Sequence, residues 1–146
     1  MAIREAVSTD SAALAELSAQ LGYPVPGDEM AIRLAALLAD PHHGVFVFDS
    51  ETGRVLGWIH VFRSLYLEAS PMAEIGGLVV DEASRGRGIG ARLVERVERW
   101  ALAHGLTRIR VRSRLERTDA HRFYDRLGYG LLKRQQVFVK ELVPPA

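Results

Sequence analysis

The sequence contains no cysteine, and this absence excludes disulfides, thiolate metal sites and cysteine nucleophiles together. It also lacks an apolar run approaching the roughly 20 residues that a membrane-spanning helix needs. Residues 1–7 do not show the charged and apolar regions of a signal peptide. We therefore expect a cytoplasmic protein that does not act at a membrane.

Charge of one sign is not in excess either. The 146 residues carry a net charge of +1 at pH 7, which gives no reason to expect nucleic acid as a partner. A hydrophobic content of 48% is enough for one packed core in a chain of this length. Repeats, low-complexity tracts and Pro/Gly-rich linkers are missing, so we expect a single domain over residues 1–146.

Hydrophobic periodicity and turn residues predict the order strand, two helices, three strands, helix, strand, helix and one or two closing strands. The predicted strands cover residues 1–7, 45–48, 54–62, 74–80, 107–113 and 131–142. Residues 63–71 are expected to form a connecting loop. A short turn favours antiparallel pairing of the early strands, and the strand–helix–strand unit 74–113 favours a parallel pair. This order predicts an α+β fold, with a mixed, partly antiparallel sheet flanked by about four helices in α/β/α layers.

The most informative stretch is residues 78–91, Leu-Val-Val-Asp-Glu-Ala-Ser-Arg-Gly-Arg-Gly-Ile-Gly-Ala, where a strand leads through a glycine-rich loop into a helix. Gly86, Gly88 and Gly90 permit a close backbone approach, and the N–H groups of a helix start attract phosphates. Arg85 and Arg87 add donors suited to a diphosphate. The alternative is a glycine-rich turn with solvated arginines, but three spaced glycines cost stability. The residues therefore predict an anion-binding loop without identifying its ligand.

Two common phosphate-binding motifs do not match this loop. It lacks the Gly-Lys-Ser/Thr ending of a P-loop, and no second acidic strand follows about 20 residues on, as a dinucleotide site requires. The loop instead resembles the Arg/Gln-x-x-Gly-x-Gly/Ala motif of the GNAT family of N-acetyltransferases, through Arg85, Gly88 and Gly90. Residues 120–129, Ala-His-Arg-Phe-Tyr-Asp-Arg-Leu-Gly-Tyr, are similar to that family's second signature. Residues 118–124 also resemble the matching stretch of aminoalkylphosphonate N-acetyltransferases, which is a weaker likeness.

The resemblance implies acetyl-CoA as cofactor and a set of residues that bind it. That set is Leu78, Val79, Val80, Arg85, Gly86, Arg87, Gly88, Ile89, Gly90, Ala91 and Tyr124. It also implies two catalytic residues. Glu74 would deprotonate the substrate ammonium, directly or through water, and Tyr124 would protonate the sulfur of coenzyme A. The alternatives are an exposed carboxylate at a strand end for Glu74 and a core aromatic for Tyr124.

Several other polar residues carry less information. Arg108, Arg110, Arg112 and Arg114 alternate along one predicted strand and therefore share one face. We interpret them as a solvated face or partly covered arginine stems, and the alternative is an anion site for an acidic substrate. Arg114 stands where many family members have an asparagine that contacts the pantetheine arm. His42 and His43 follow a proline, which favours solvated turn residues over metal ligands.

The leading hypothesis is an N-acetyltransferase that acts on a primary amine of a small molecule by direct attack in a ternary complex. One alternative is a non-catalytic acyl-CoA-binding or regulatory module. Another is a protein or peptide N-acetyltransferase, which would need an open groove near Tyr66. No metal is expected, and a homodimer is one assembly that the sequence leaves open.

Overall fold

The computed structural model describes residues 2–112 and 118–145. The chain divides into two compact units, Met1–Arg114 and Leu115–Ala146. The first unit contains β1 (Ala2–Glu5), α1 (Ser11–Gln20), α2 (Gly27–Leu38), β2 (His43–Asp49), β3 (Val55–Tyr66), β4 (Ala69–Val80), α3 (Ile89–Ala103) and β5 (Ile109–Val111). Single 3-10 turns lie at Ser8–Asp10 and Glu82–Ser84, and the second unit contains α4 (Thr118–Arg126).

The sheet has the strand order β1-β2-β3-β4-β5. The first four strands are antiparallel neighbours, and β5 pairs with β4 in parallel. The predicted fold, a mixed and partly antiparallel sheet with flanking helices, is confirmed. Parallel strands cannot be joined by a tight turn, and α3 provides the crossover connection that the parallel pairing of β4 and β5 requires.

Apolar side chains on both faces of β2 explain why helices cover the sheet on two sides. Val45 and Val47 belong to a core cluster with Leu14, Leu17 and Leu34, which come from α1 and α2. The intervening phenylalanines, Phe46 and Phe48, are buried on the opposite face, where the guanidinium groups of Arg96 and Arg92 of α3 lie over their rings. A strand that is buried on both faces has a continuous apolar sequence, and residues 45–48 are an example.

Two sequence predictions are wrong. Residues 63–71 are not a loop, because β3 and β4 continue as a long hairpin in which Tyr66 pairs with Ala69. Cross-strand pairing extends both strands through the segment that was expected to connect them. Residues 131–142 were predicted to form strands, but the structure assigns them no regular element, and the side chains of Leu131, Val137 and Val143 are exposed. An alternating pattern becomes a strand only where its backbone finds a partner.

Candidate functional site

Near the C-terminal end of β4, the described residues leave one edge of the strand without a strand partner. Within the described residues, β5 pairs with β4 only through Ala73, Glu74 and Ile75. The Asp81 N–H donates to Leu56 O of β3 at 2.8 Å, so alternation along the strand directs the N–H groups of Leu78 and Val80 away from β3. Within residues 2–112, the outer edge of β4 beyond Ile75 therefore presents backbone donors that suit an extended ligand.

β4 has a bulge at Gly76 and Gly77 in its pairing with β3, directly after Ile75, its last described pair with β5. His60 pairs with Gly77 while Val61 pairs with Ile75, so Gly76 is the extra residue. A Cβ atom at Gly76 would lie 2.5 Å from Nδ1 of His60, and one at Gly77 would lie 2.8 Å from the Trp58 ring. In this arrangement a Cβ atom at either glycine would collide with one of these two side chains, which favours glycine at both positions.

The glycine-rich loop joins β4 to α3 with an open backbone surface. Gly86 and Gly88 have φ values of +81° and +78°, in the left-handed region that side chains disfavour. A Cβ atom built at either position meets no atom within 4 Å, so the glycines leave free space beside the loop. Arg85 and Arg87 are exposed, and Arg85 Nε donates to Val80 O at 3.3 Å. The start of α3 has no side-chain cap among the described residues. These features fit a diphosphate-bearing cofactor.

Only some of the predicted cofactor residues can contribute side chains. Val79 and Ile89 are buried in the core, at 2% and 5% exposure, so only their backbone groups are available. Leu78, Val80, Gly90 and Ala91 are half-buried. The structure brings residues 78–91 together as one continuous strand, loop and helix start, although their binding of a cofactor stays a prediction.

Asp81 and Gln20 anchor the loop to helix α1. Gln20 Nε2 donates to Asp81 Oδ1 at 2.9 Å, and the Glu82 N–H donates to Gln20 Oε1 at 3.0 Å. Asp81 is buried, and the hydrogen bond from Gln20 is the main cause that lowers its pKa, with smaller contributions from Arg54 and Ser84. The amide of Gln20 thus fixes both the side chain and the backbone at the point where the loop begins.

Glu74 is a buried carboxylate rather than an exposed strand-end residue. It is 9% exposed, accepts a hydrogen bond from Arg110 Nε at 2.5 Å, and lies 3.8 Å from Arg112 Nε. Burial lowers the pKa of Arg110, but the hydrogen bond and charge of Glu74 outweigh this effect, and the pKa of Arg110 is raised. The carboxylate is held at the fork between β4 and β5. Its role as a base stays a prediction.

Comparison with known proteins connects this arrangement to a family. The model of the acetyltransferase (GNAT) family matches residues 11–129. The chain belongs to the GNAT family. It is therefore an acetyltransferase, and acetyl-CoA is its cofactor, as the sequence predicted.

Two curated relatives and one solved structure agree with this assignment. Aminoglycoside N(6')-acetyltransferase type 1 from Serratia marcescens is 29% identical over 121 residues, which cover 80% of this chain and 82% of the relative. Aminoalkylphosphonate N-acetyltransferase from Salmonella typhimurium is 36% identical over 98 residues, covering 65% and 62%. An aminoglycoside 6'-N-acetyltransferase from Acinetobacter haemolyticus has a TM-score of 0.85 at 20% identity, covering 97% and 99% of the two chains, which shows the same fold.

Tyr124 of this GNAT protein lies in α4, within the second unit. Its ring packs edge-on against Phe123, at 5.0 Å between centroids, and lies 5.6 Å from Tyr129. Arg114, the predicted departure from the family pattern, lies outside the described residues. The assignment of Tyr124 as cofactor ligand and acid stays a prediction.

A histidine pair that was not predicted from the sequence lies on the face of the sheet that also carries Glu74. His43 Nδ1 lies 2.9 Å from His60 Nε2, the two imidazole rings are stacked, and the His43 ring also stacks on Phe62. Burial, with a smaller contribution from His43, lowers the pKa of His60 to about 4. His43 is the first residue of β2 and is half-buried, so its reading as a solvated turn residue is wrong. Trp58, His60 and Phe62 are two residues apart on β3 and therefore share one face of the sheet. This spacing could have indicated that His60 packs among aromatic side chains.

The described part of the chain contains neither a membrane-spanning helix nor a cluster of metal-ligating side chains. None of its helices has the length and apolar character needed to traverse a bilayer. Across residues 2–112 and 118–145, no three His, Asp or Glu side chains are grouped so that they could hold a metal ion.

Proposed function

We propose that this GNAT protein transfers the acetyl group of acetyl-CoA to a primary amine of a small molecule, by direct attack in a ternary complex. One observation carries the proposal. A single strand, β4, presents the Glu74 carboxylate at the fork, an open backbone edge beyond it, and the glycine-rich loop at its end. The curated relatives act, by their names, on aminoglycosides and aminoalkylphosphonates, and both kinds of molecule are small amines.

The loop is the proposed grip for the diphosphate. Backbone N–H groups at the start of α3 and the exposed guanidinium groups of Arg85 and Arg87 provide donors. The open space beside Gly86 and Gly88 lets phosphate oxygens approach the backbone. Because Asp81 and Gln20 fix the beginning of the loop, these donors are positioned before the ligand arrives.

Acid–base roles fall to Glu74 and Tyr124 in this proposal. When bound, acetyl-CoA supplies an acyl group activated as a thioester. An amine attacks only in its neutral form, so the Glu74 carboxylate accepts a proton from the ammonium, directly or through water. The N–H groups of Leu78 and Val80 can donate to an oxygen that gains negative charge. The Tyr124 hydroxyl donates the proton that the departing thiolate requires.

The deciding experiment measures acetyl-CoA-dependent thiol release with a panel of amines. The panel contains amino acids, polyamines, aminoalkylphosphonates and aminoglycosides. Release that requires both acetyl-CoA and one class of amine would support the proposed function, and mass spectrometry of the product would locate the acetyl group. Binding of acetyl-CoA without release on any amine would favour the non-catalytic acyl-CoA-binding module instead.

A further inference from the structure

A cluster of charged and aromatic side chains surrounds Glu74 on one face of the sheet. Arg110 is directly opposite Glu74 in the parallel pairing of β5 with β4. The Arg110 guanidinium lies 5.1 Å from the centre of the Tyr66 ring, and Arg112 Nη2 lies 3.4 Å from the Tyr66 hydroxyl. Among the residues that the structure describes, two guanidinium groups therefore share the Glu74 carboxylate, and these three side chains carry a net charge of +1.

The donors of this cluster are only partly satisfied. Arg110 Nη2 is buried and has no hydrogen-bond partner among the described residues. The Arg112 side chain is 52% exposed, and its contacts at 3.8 Å and 3.4 Å are long for hydrogen bonds. A buried N–H donor without a partner costs free energy, so the cluster favours a ligand that supplies an acceptor.

The two arginines of the cluster lie next to Glu74, the residue proposed to accept the proton of the substrate ammonium. Arg112 follows the last residue of β5, at the end of the pairing with β4 that the structure describes. Glu74, the proposed base, pairs with Arg110 one residue before the last described pair of β4 and β5 and forms an ion pair with it. An anion bound by the arginines would therefore place a neighbouring amine close to the Glu74 carboxylate.

We propose that Arg110 and Arg112 form a subsite for a tetrahedral oxyanion on the acceptor, so that the preferred substrates are amines carrying a phosphonate or phosphate group. This inference rests on the proposed function. Arginine presents paired N–H groups that match such oxyanions. Binding of the anion would give Arg110 Nη2 the hydrogen-bond acceptor that it lacks among the described residues. Tyr66, which is 45% exposed, makes only weak contacts with both arginines, so its side chain can turn aside as the anion enters.

The first test measures binding without turnover. Methylphosphonate, which has no amine, is titrated into the protein in saturating coenzyme A, because coenzyme A then occupies the glycine-rich loop. We expect methylphosphonate to raise the melting temperature of the wild type, and Arg112→Gln to weaken its affinity about tenfold. Arg108→Gln is the matched control, because it removes an exposed arginine from the same stretch and should leave the affinity unchanged.

A second variant keeps the test decisive. Arg110→Lys retains the charge beside Glu74 but loses the paired N–H groups, so it should also weaken methylphosphonate binding. The proposal is overturned if methylphosphonate does not stabilise the wild type, or if both variants bind it as tightly as Arg108→Gln does.

The second test compares matched acceptors, 2-aminoethylphosphonate against ethanolamine. We expect a higher kcat/KM for the phosphonate in the wild type, and an increase of about tenfold in its KM in Arg112→Gln with little change for ethanolamine. Equal rates on both acceptors would overturn the anion subsite and leave the acetyltransferase function standing. Methylphosphonate binding without acetylation of any amine would overturn the proposed function and leave the subsite standing.

Discussion

Replacing Gly88 by alanine separates what the glycine-rich loop does for folding from what it does for acetyl-CoA. Gly88 has φ +78° and no atom within 4 Å of a built Cβ, so alanine meets backbone strain but no clash. Left-handed backbone costs a non-glycine residue about 1–2 kcal/mol. We therefore expect Gly88→Ala to lower the melting temperature by about 3–6 °C without the ligand.

Gly105→Ala is the matched control. Gly105 has φ +73° and equally open surroundings, but it follows the other end of α3, about 22 Å along the helix from Gly88. Its alanine variant should lose about the same stability. Any effect on acetyl-CoA that is specific to Gly88→Ala then comes from the methyl group beside the loop and not from strain.

The ligand effect can be estimated by linkage. At a concentration of acetyl-CoA 100 times the wild-type Kd, binding stabilises the native protein by about 2.7 kcal/mol. A tenfold loss of affinity reduces this to about 1.4 kcal/mol, which would roughly halve the ligand-induced rise in melting temperature. Thermal shift and calorimetry on the wild type and both variants measure the difference. If Gly88→Ala and Gly105→Ala respond equally to acetyl-CoA, the loop does not bind the cofactor as we propose.

Three further predictions concern single side chains. Tyr124→Phe should reduce turnover about 100-fold with little change in acetyl-CoA affinity, measured by thiol release and calorimetry, because only the proton donor is lost. Glu74→Gln should slow turnover and shift the rising limb of the pH–rate profile, whereas acetyl-CoA binding survives. Folded His60, with its pKa lowered from 6.5 to about 4, takes up protons less readily than the unfolded chain. Stability should therefore fall as pH drops from about 6.5 to 4, by at most about 3 kcal/mol, and His60→Gln should flatten this fall in denaturant titrations.

Each of these predictions has a contrary outcome. Near-normal turnover of Tyr124→Phe would make that tyrosine a packing residue. An unchanged rate and pH profile in Glu74→Gln would assign the base to another group or to solvent. Identical pH dependence of stability in the wild type and His60→Gln would mean that the protonation of His60 does not differ between the folded and unfolded states.

Local sequence patterns determined much of the fold by themselves. The strand at residues 45–48 and the strand, loop and helix start of residues 78–91 were both predicted from local patterns, and both are present. Periodicity and turn chemistry act over a few residues, so they can be read from the sequence. The same locality explains how the GNAT family could be predicted from the loop and from residues 120–129.

The tertiary structure alone decided which distant residues meet. Glu74 and Arg110 are 36 residues apart, and their ion pair depends on the parallel register of β4 with β5. His43 and His60 likewise meet only through the pairing of β2 with β3. The long β3–β4 hairpin, which replaced the predicted loop, carries Tyr66 to the arginines. Register depends on the packing of whole strands, and a linear pattern does not specify it between segments far apart in the chain.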